Sequence, residues 1–335
     1  MDANMKIRLN NGLKVPLLAT GSYAPKDAQG AVKGWILSAL QARRLSLADD
    51  FTTKIDKRNV YRMDSAISIL LGYMVRTEKV VGEAIKESNI PREELFITTK
   101  LAWNHHHRVR ESFEESLANL DTGYIDLYLL HAPPAVAHDV NNTRPKNPDG
   151  TIKLATNVTF NDSWAHMEKL LDTGKVKAIG VSNFSVKTLE KLSTTAKIMP
   201  AVNQIELHPY LAQNGLRDYC NRKGITLMAY TPSGYDGVRS DPLIVSLAEK
   251  YKVTPTQIIL AWHISRQSVV VPTSKNNKRQ KENLSIPILS EEDLAKVWDL
   301  DRGQRISVGP DPETGHVLGW TLEQLGWESY HPKYA

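Results

Sequence analysis

A run of short apolar segments, each closing on one polar residue, constrains this chain most. In order they read VYRMD to Asp64, LFITTK to Lys100, IDLYLLH to His131, KAIGVSN to Asn183, AVNQ to Gln204 and ITLMAY to Tyr230. Helix-patterned stretches separate them, such as RVRESFEESLANL at 108–120 and LIVSLAEKYK at 243–252. Strands joined through helices need crossover connections, so the expected sheet is parallel and buried on both faces. If that sheet closes into a barrel, every C-terminal strand end opens on one rim, where the active sites of such barrels sit. The six polar residues would then meet in one pocket, the layout of an enzyme.

The even spread of these segments over 335 residues, with no Gly/Ser or Pro-rich linker, predicts one domain spanning 1–335. Hydrophobic residues at 41% and charged ones at 24% match a soluble globular chain. No apolar run reaches the roughly 18 residues that span a bilayer. The start MDANMKIRLNNG shows no basic segment followed by an apolar one, so no signal peptide is expected. The single Cys220 excludes an intramolecular disulfide framework. A cytoplasmic location is expected, without a membrane or nucleic-acid partner. The net charge of +5 is dispersed apart from SKNNKRQK at 274–281. That stretch reads either as a solvated helix start or as a phosphate site. In the second case Ser274 and free backbone N–H groups meet Lys275, Lys278 and Arg279 at a helix N-terminus.

KIRLNNGLKVPLLATGS at 6–22 reads as a β-hairpin turning at Asn11-Gly12, placed to plug the lower end of a barrel. Residues 31–41 read as a helix, and the polar stretch 43–59 as an insertion or surface loop. A long loop at 132–160 follows His131 directly, where such loops shape specificity. The tail at 303–335 is expected to fold back across a surface. His105, His106 and His107 lack ligand spacing and read as a loop, with no metal expected.

Five further stretches carry a resemblance to a known family. They are VVGEAIKESNIPREELFITTKL (80–101), IDLYLLHAPP (125–134), GKVKAIGVSNF (174–184), NQIELHPY (203–210) and MAYTP (228–232). In this order they resemble the aldo-keto reductases, and the ending GHVLGWTLEQLGW is similar to fungal members. The resemblance covers nearly the whole chain. It implies a (β/α)₈ barrel, a nicotinamide cofactor and reduction of aldehyde or ketone carbonyls to alcohols.

In that family a Tyr hydroxyl protonates the carbonyl as hydride arrives. A nearby Asp–Lys pair lowers the Tyr pKa, and a His orients the carbonyl. The resemblance maps these roles onto Asp64, within Asp64-Ser65-Ala66, and onto Lys100 and His131. For the Tyr it calls for a position five residues after the Asp and three before Glu78, where Ile69 and Val75 stand. The segment ISILLGYMVRTEK carries several extra residues, and Tyr73 is its only tyrosine and the candidate acid. Tyr61 is the alternative by residue type. The disturbances at 43–59 and 67–76 bracket Asp64.

On the cofactor side the resemblance assigns Gly21, Ser22 and Tyr23 to a first contacting turn. It assigns Ser182, Asn183 and Gln204 to the nicotinamide carboxamide and Tyr230 to stacking on the ring. Ser274, Arg279 and Asn283 match the residues that hold the 2′-phosphate and adenine, whereas Thr273 stands where NADPH-preferring members carry Lys. NADP(H) is therefore expected ahead of NAD(H), with a small carbonyl substrate and a monomeric chain. The alternatives are a member that binds cofactor but is catalytically impaired, and a non-enzymatic regulatory subunit.

Overall fold

The computed structural model describes residues 6–22, 30–48, 60–62, 67–70 and 77–327, and side chains throughout these except at 43–48, 60–62 and 67–70. The strands are β1 (Lys6–Arg8), β2 (Lys14–Pro16), β3 (Ala19–Gly21), β4 (Val60–Arg62), β5 (Ile67–Leu70) and β6 (Leu95–Leu101). They continue with β7 (Ile125–Leu130), β8 (Val176–Ser182), β9 (Val202–Glu206), β10 (Thr226–Tyr230), β11 (Val269–Val270) and β12 (Ser285–Pro287). The helices are α1 (Val32–Ala48), α2 (Glu78–Ser88), α3 (Val109–Leu120), α4 (Phe160–Leu170), α5 (Val186–Ser193) and α6 (Asn214–Arg222). After them come α7 (Tyr235–Arg239), α8 (Pro242–Tyr251), α9 (Pro255–Ser265), α10 (Asn277–Glu282), α11 (Glu291–Trp298) and α12 (Leu322–Leu325).

Among the described residues eight strands form one parallel sheet in the order β11-β10-β9-β8-β7-β6-β5-β3. Its two edges meet. Val270 N donates to Leu17 O at 2.7 Å, Gly21 N donates to Pro272 O at 3.0 Å, and Leu18 bridges Val270 in parallel. The expected (β/α)₈ barrel thus closes. Closure removes the unpaired edges that an open sheet would expose.

The barrel interior is filled by Phe96, Leu127, Leu129, Ala178, Val202, Met228 and Val269, all buried. β1 and β2 pair antiparallel, and Gly12 takes φ +86° in the turn, which a side chain would oppose. The turn docks on the lower rim, where Asn11 Nδ2 donates to Lys177 O at 2.9 Å and Asn10 Nδ2 to Pro200 O at 3.1 Å. Leu9 and Val15 enter the interior cluster from below, so the hairpin plugs the barrel.

The helical layer packs on the outer faces, where Phe113, Trp164, Leu189 and Trp262 are fully or almost fully buried. Thr159, Ser185 and Thr254 each start a helix with a capping box, which satisfies two end N–H groups reciprocally. No helix among the described residues is long and apolar enough to cross a membrane.

Three expectations change. The hairpin ends at Pro16, and Ala19–Gly21 instead becomes a parallel barrel strand beside β5. The helix expected at 31–41 runs on to Ala48, because Arg, Leu and Ala are good helix formers and neither Gly nor Pro interrupts 42–48. The third change matters most. VYRMD was expected to be a barrel strand ending at Asp64, yet Val60–Arg62 pairs antiparallel with β12 outside the barrel. The barrel position belongs to Ile67–Leu70, in register between β3 and β6. A strand covered on both faces favours an apolar run, and ISIL meets that where an Arg-bearing segment does not. Asp64 therefore precedes the barrel strand in the chain, and Tyr61 aligns with Ile286.

Gly180 tests the tightness of the wall. A Cβ there would lie 2.6 Å from Val202 O and 2.7 Å from Leu129 Cδ2. Gly180→Ala is expected to cost about 1–3 kcal/mol of stability, the usual range for overpacking. A urea midpoint equal to that of the parent would contradict this.

Candidate active site

The strand ends converge on the C-terminal rim. Lys100 is the penultimate residue of β6, and His131, Asn183 and Thr231 directly follow β7, β8 and β10. Parallel register ties them together, with Lys100 opposite Leu129, Ser182 opposite Gln204 and Gln204 opposite Met228. Asn183 turns the chain at φ +65°, a left-handed conformation that Asn tolerates. Its Nδ2 donates to His131 O at 3.0 Å and to Ser182 Oγ at 3.2 Å. Its Oδ1 accepts from the Tyr230 hydroxyl at 2.8 Å. One side chain thus joins the ends of β7, β8 and β10.

Electrostatics separates two basic groups. Burial lowers the Lys100 pKa to about 7, with no carboxylate among the described residues offsetting it. The His131 pKa falls well below its ordinary value, first through burial and then through the charges of Lys100 and Arg144. His131 is therefore neutral near pH 7, suited to donate one N–H to a carbonyl oxygen and unsuited to serve as the proton source. The Trp103 ring stacks on His131 at 5.4 Å between centroids and 22° between planes, which fixes the imidazole's orientation.

Gln204 has capacity to spare. It is fully buried, and among the described residues its Nε2 reaches only the weak acceptor Met228 Sδ at 2.8 Å and its Oε1 has no hydrogen-bond partner. A buried carbonyl oxygen without a donor is costly, so this position calls for an N–H from a bound group. A carboxamide supplies one. Ser182 Oγ, by contrast, donates to Gln204 O at 2.9 Å and accepts from Asn183.

Gly21 closes the barrel seam and Ser22 is fully buried. Tyr23, Asp64 and Tyr73 lie outside the described residues. Ser274 Oγ accepts from Asn276 N and donates to Asn276 O, both at 3.3 Å, and the Asn276 side chain caps α10 by accepting from Arg279 N at 3.1 Å. Arg279 is exposed and forms no ion pair among the described residues, whereas Asn283 is buried at the end of α10. The three successive histidines diverge: the His105 ring pairs with Ser112 Oγ and the His106 ring with Ser163 Oγ, each at 2.9 Å.

Glu206 lies beyond the end that the AVNQ pattern predicts for its strand, Gln204. β9 runs two residues further, and strand alternation puts Glu206 on the same face as Gln204. That spacing was the available signal. Fully buried, Glu206 accepts from the N–H groups of Ile306 at 2.6 Å, Ser307 at 2.9 Å and Val308 at 3.2 Å, and lies 3.6 Å from Arg305. Burial raises its pKa, but His208, Arg305 and the Ile306 N–H outweigh that and hold it below the ordinary value. The expected return of the tail is thereby a clamp on the rim, beside Tyr230. Burial and the Glu206 charge push the Tyr230 hydroxyl's pKa upward, keeping it a neutral donor.

Comparison with known proteins agrees with this architecture. A model of the Aldo/keto reductase family matches residues 49–302. The NADP(+)-dependent glycerol 2-dehydrogenase of Saccharomyces cerevisiae is 35% identical over 322 residues, covering 92% of this chain and 96% of the yeast protein. The D-galacturonate reductase of Hypocrea jecorina is 37% identical over 300 residues, covering 87% and 89% respectively. The solved aldose reductase of Schistosoma japonicum superposes with a TM-score of 0.76 at 29% identity, covering 100% of this chain and 98% of its own.

Proposed function

Because the chain belongs to the aldo/keto reductase family, we propose that it reduces aldehyde or ketone carbonyls with NADPH, using Lys100, His131 and Tyr73 at the rim of the barrel. The observation that carries this reading is the juxtaposition of a half-buried Lys100 with a lowered pKa, a neutral His131 and a buried Gln204 oxygen awaiting a donor. When bound, the nicotinamide supplies the hydride. Gln204 Oε1 would accept from its carboxamide, and Tyr230 would present its ring to the nicotinamide face. His131 holds the carbonyl oxygen by an N–H hydrogen bond, strengthened because the site is screened from water. The Tyr73 hydroxyl would deliver the proton, and the Lys100 ammonium, with Asp64 as its counter-ion on the family pattern, would favour the phenolate left behind. We place the chain in the cytoplasm as a monomeric single domain.

The decisive assay is NADPH oxidation with a reactive aldehyde such as benzaldehyde. A second reading is favoured by the displacement of VYRMD from the barrel: a member that binds cofactor but turns over poorly. Saturable NADPH binding without turnover would select it.

Arg279 carries the choice of cofactor. Its guanidinium is exposed and free of carboxylates among the described residues, while Lys278 is loosely held by Glu282 at 3.8 Å. Arg279→Ala is expected to weaken NADPH binding by about 1.5–3 kcal/mol, the range for charge-assisted hydrogen bonds, and to leave NADH little changed. Equal losses for both cofactors in a fluorescence titration would remove the assignment.

A further inference from the structure

We propose that Arg144 recognises a carboxylate on the substrate, so that the site favours carbonyl compounds bearing an acidic group a few carbons from the reacting carbonyl. This rests on the reductase reading above and adds the substrate class to it.

The loop after His131 is pinned onto the site. Val136 N donates to Trp103 O at 2.9 Å, and antiparallel bridges join Val136 to Leu154 and Lys146 to Ile152. Trp103 Nε1 donates to Thr143 O at 2.8 Å, which fixes the backbone one residue before Arg144. The Arg144 guanidinium then lies 4.8 Å from the centroid of the Trp103 ring. That same ring stacks on His131. One indole therefore sets the spacing between the imidazole that receives the carbonyl and a cation on the loop.

An exposed loop arginine is ordinarily just solvated, and a cation over an indole is a common surface contact. Two observations set Arg144 apart. Its charge is felt at His131, whose pKa it lowers after burial and Lys100. Arg144 forms no ion pair among the described residues. A planar guanidinium with open donors matches a carboxylate bidentately, and Lys100 and Arg144 together make the approach to His131 attractive to an anion.

The test uses 4-carboxybenzaldehyde and benzaldehyde, which differ only in the carboxylate, with NADPH and the full chain. In Arg144→Ala the ratio of kcat/KM for the acid over the neutral aldehyde is expected to fall about tenfold or more, mainly through KM, with partial recovery in Arg144→Lys. In the parent the ratio should also fall as salt is raised, since the pairing is at the surface. An unchanged ratio, including equal losses on both aldehydes, would overturn the assignment while leaving the reductase reading intact. Failure of the parent to oxidise NADPH with either aldehyde would overturn both.

Discussion

Lys100→Met is expected to lower carbonyl reduction by roughly 10²-fold or more, the scale of the general-acid step it supports, while the barrel stays folded. Burial already opposes the ammonium, bringing its pKa to about 7 from an ordinary 10.5. The unfolded chain therefore binds more protons than the folded one between those values. Stability from this group consequently rises with pH through that window, and below it the whole cost of the buried charge is present. A methionine lacks that cost. The variant's thermal midpoint should thus equal or exceed the parent's at pH 6, with the difference fading toward pH 10. Pairing with Asp64 would move the Lys100 pKa upward again. The alkaline limb of turnover should accordingly lie above pH 7 in the parent and move down in Asp64→Asn. A Lys100→Met protein that is unfolded by circular dichroism, or fully active, would contradict the assignment.

Tyr73→Phe should reduce kcat by about 10²-fold or more with NADPH affinity unchanged, since only the proton donor is removed. The argument is one of order along the chain. The barrel strand is Ile67–Leu70, whose C-terminal end opens on the rim that carries Lys100 and His131, and Tyr73 follows Leu70 by three residues in the sequence. Tyr61 belongs to a strand paired with β12 outside the barrel, so Tyr61→Phe should leave kcat nearly unchanged. Because His131 is neutral near pH 7, it is not the proton source. Full activity in Tyr73→Phe, with loss in Tyr61→Phe, would reverse the assignment.

The apolar runs of β6 to β10 were legible because strands buried on both faces must be almost continuously apolar, although β6 and β9 run one and two residues past Lys100 and Gln204. Lys100, His131, Asn183, Gln204 and Tyr230 could therefore be named from spacing and resemblance. Other decisions required contacts between distant parts of the chain. VYRMD reads as the barrel strand in the sequence, and only pairing with β3 and β6 gives that single place to ISIL. Ala19–Gly21 looked like a hairpin arm until the seam with Val270 and Pro272 gave its backbone groups partners. The clamp of Glu206 on residues 306–308 spans about a hundred residues, and Arg144 lies over Trp103, which stacks on His131 and which neither strand pattern nor motif singles out. Local patterning determined that β6 to β10 are strands and which polar residues lie near their ends, since burial and periodicity act within a few residues. Sheet closure, strand choice and the partners of buried charges were decided by the tertiary structure, because each depends on hydrogen bonds and fields that exist only once the barrel has closed.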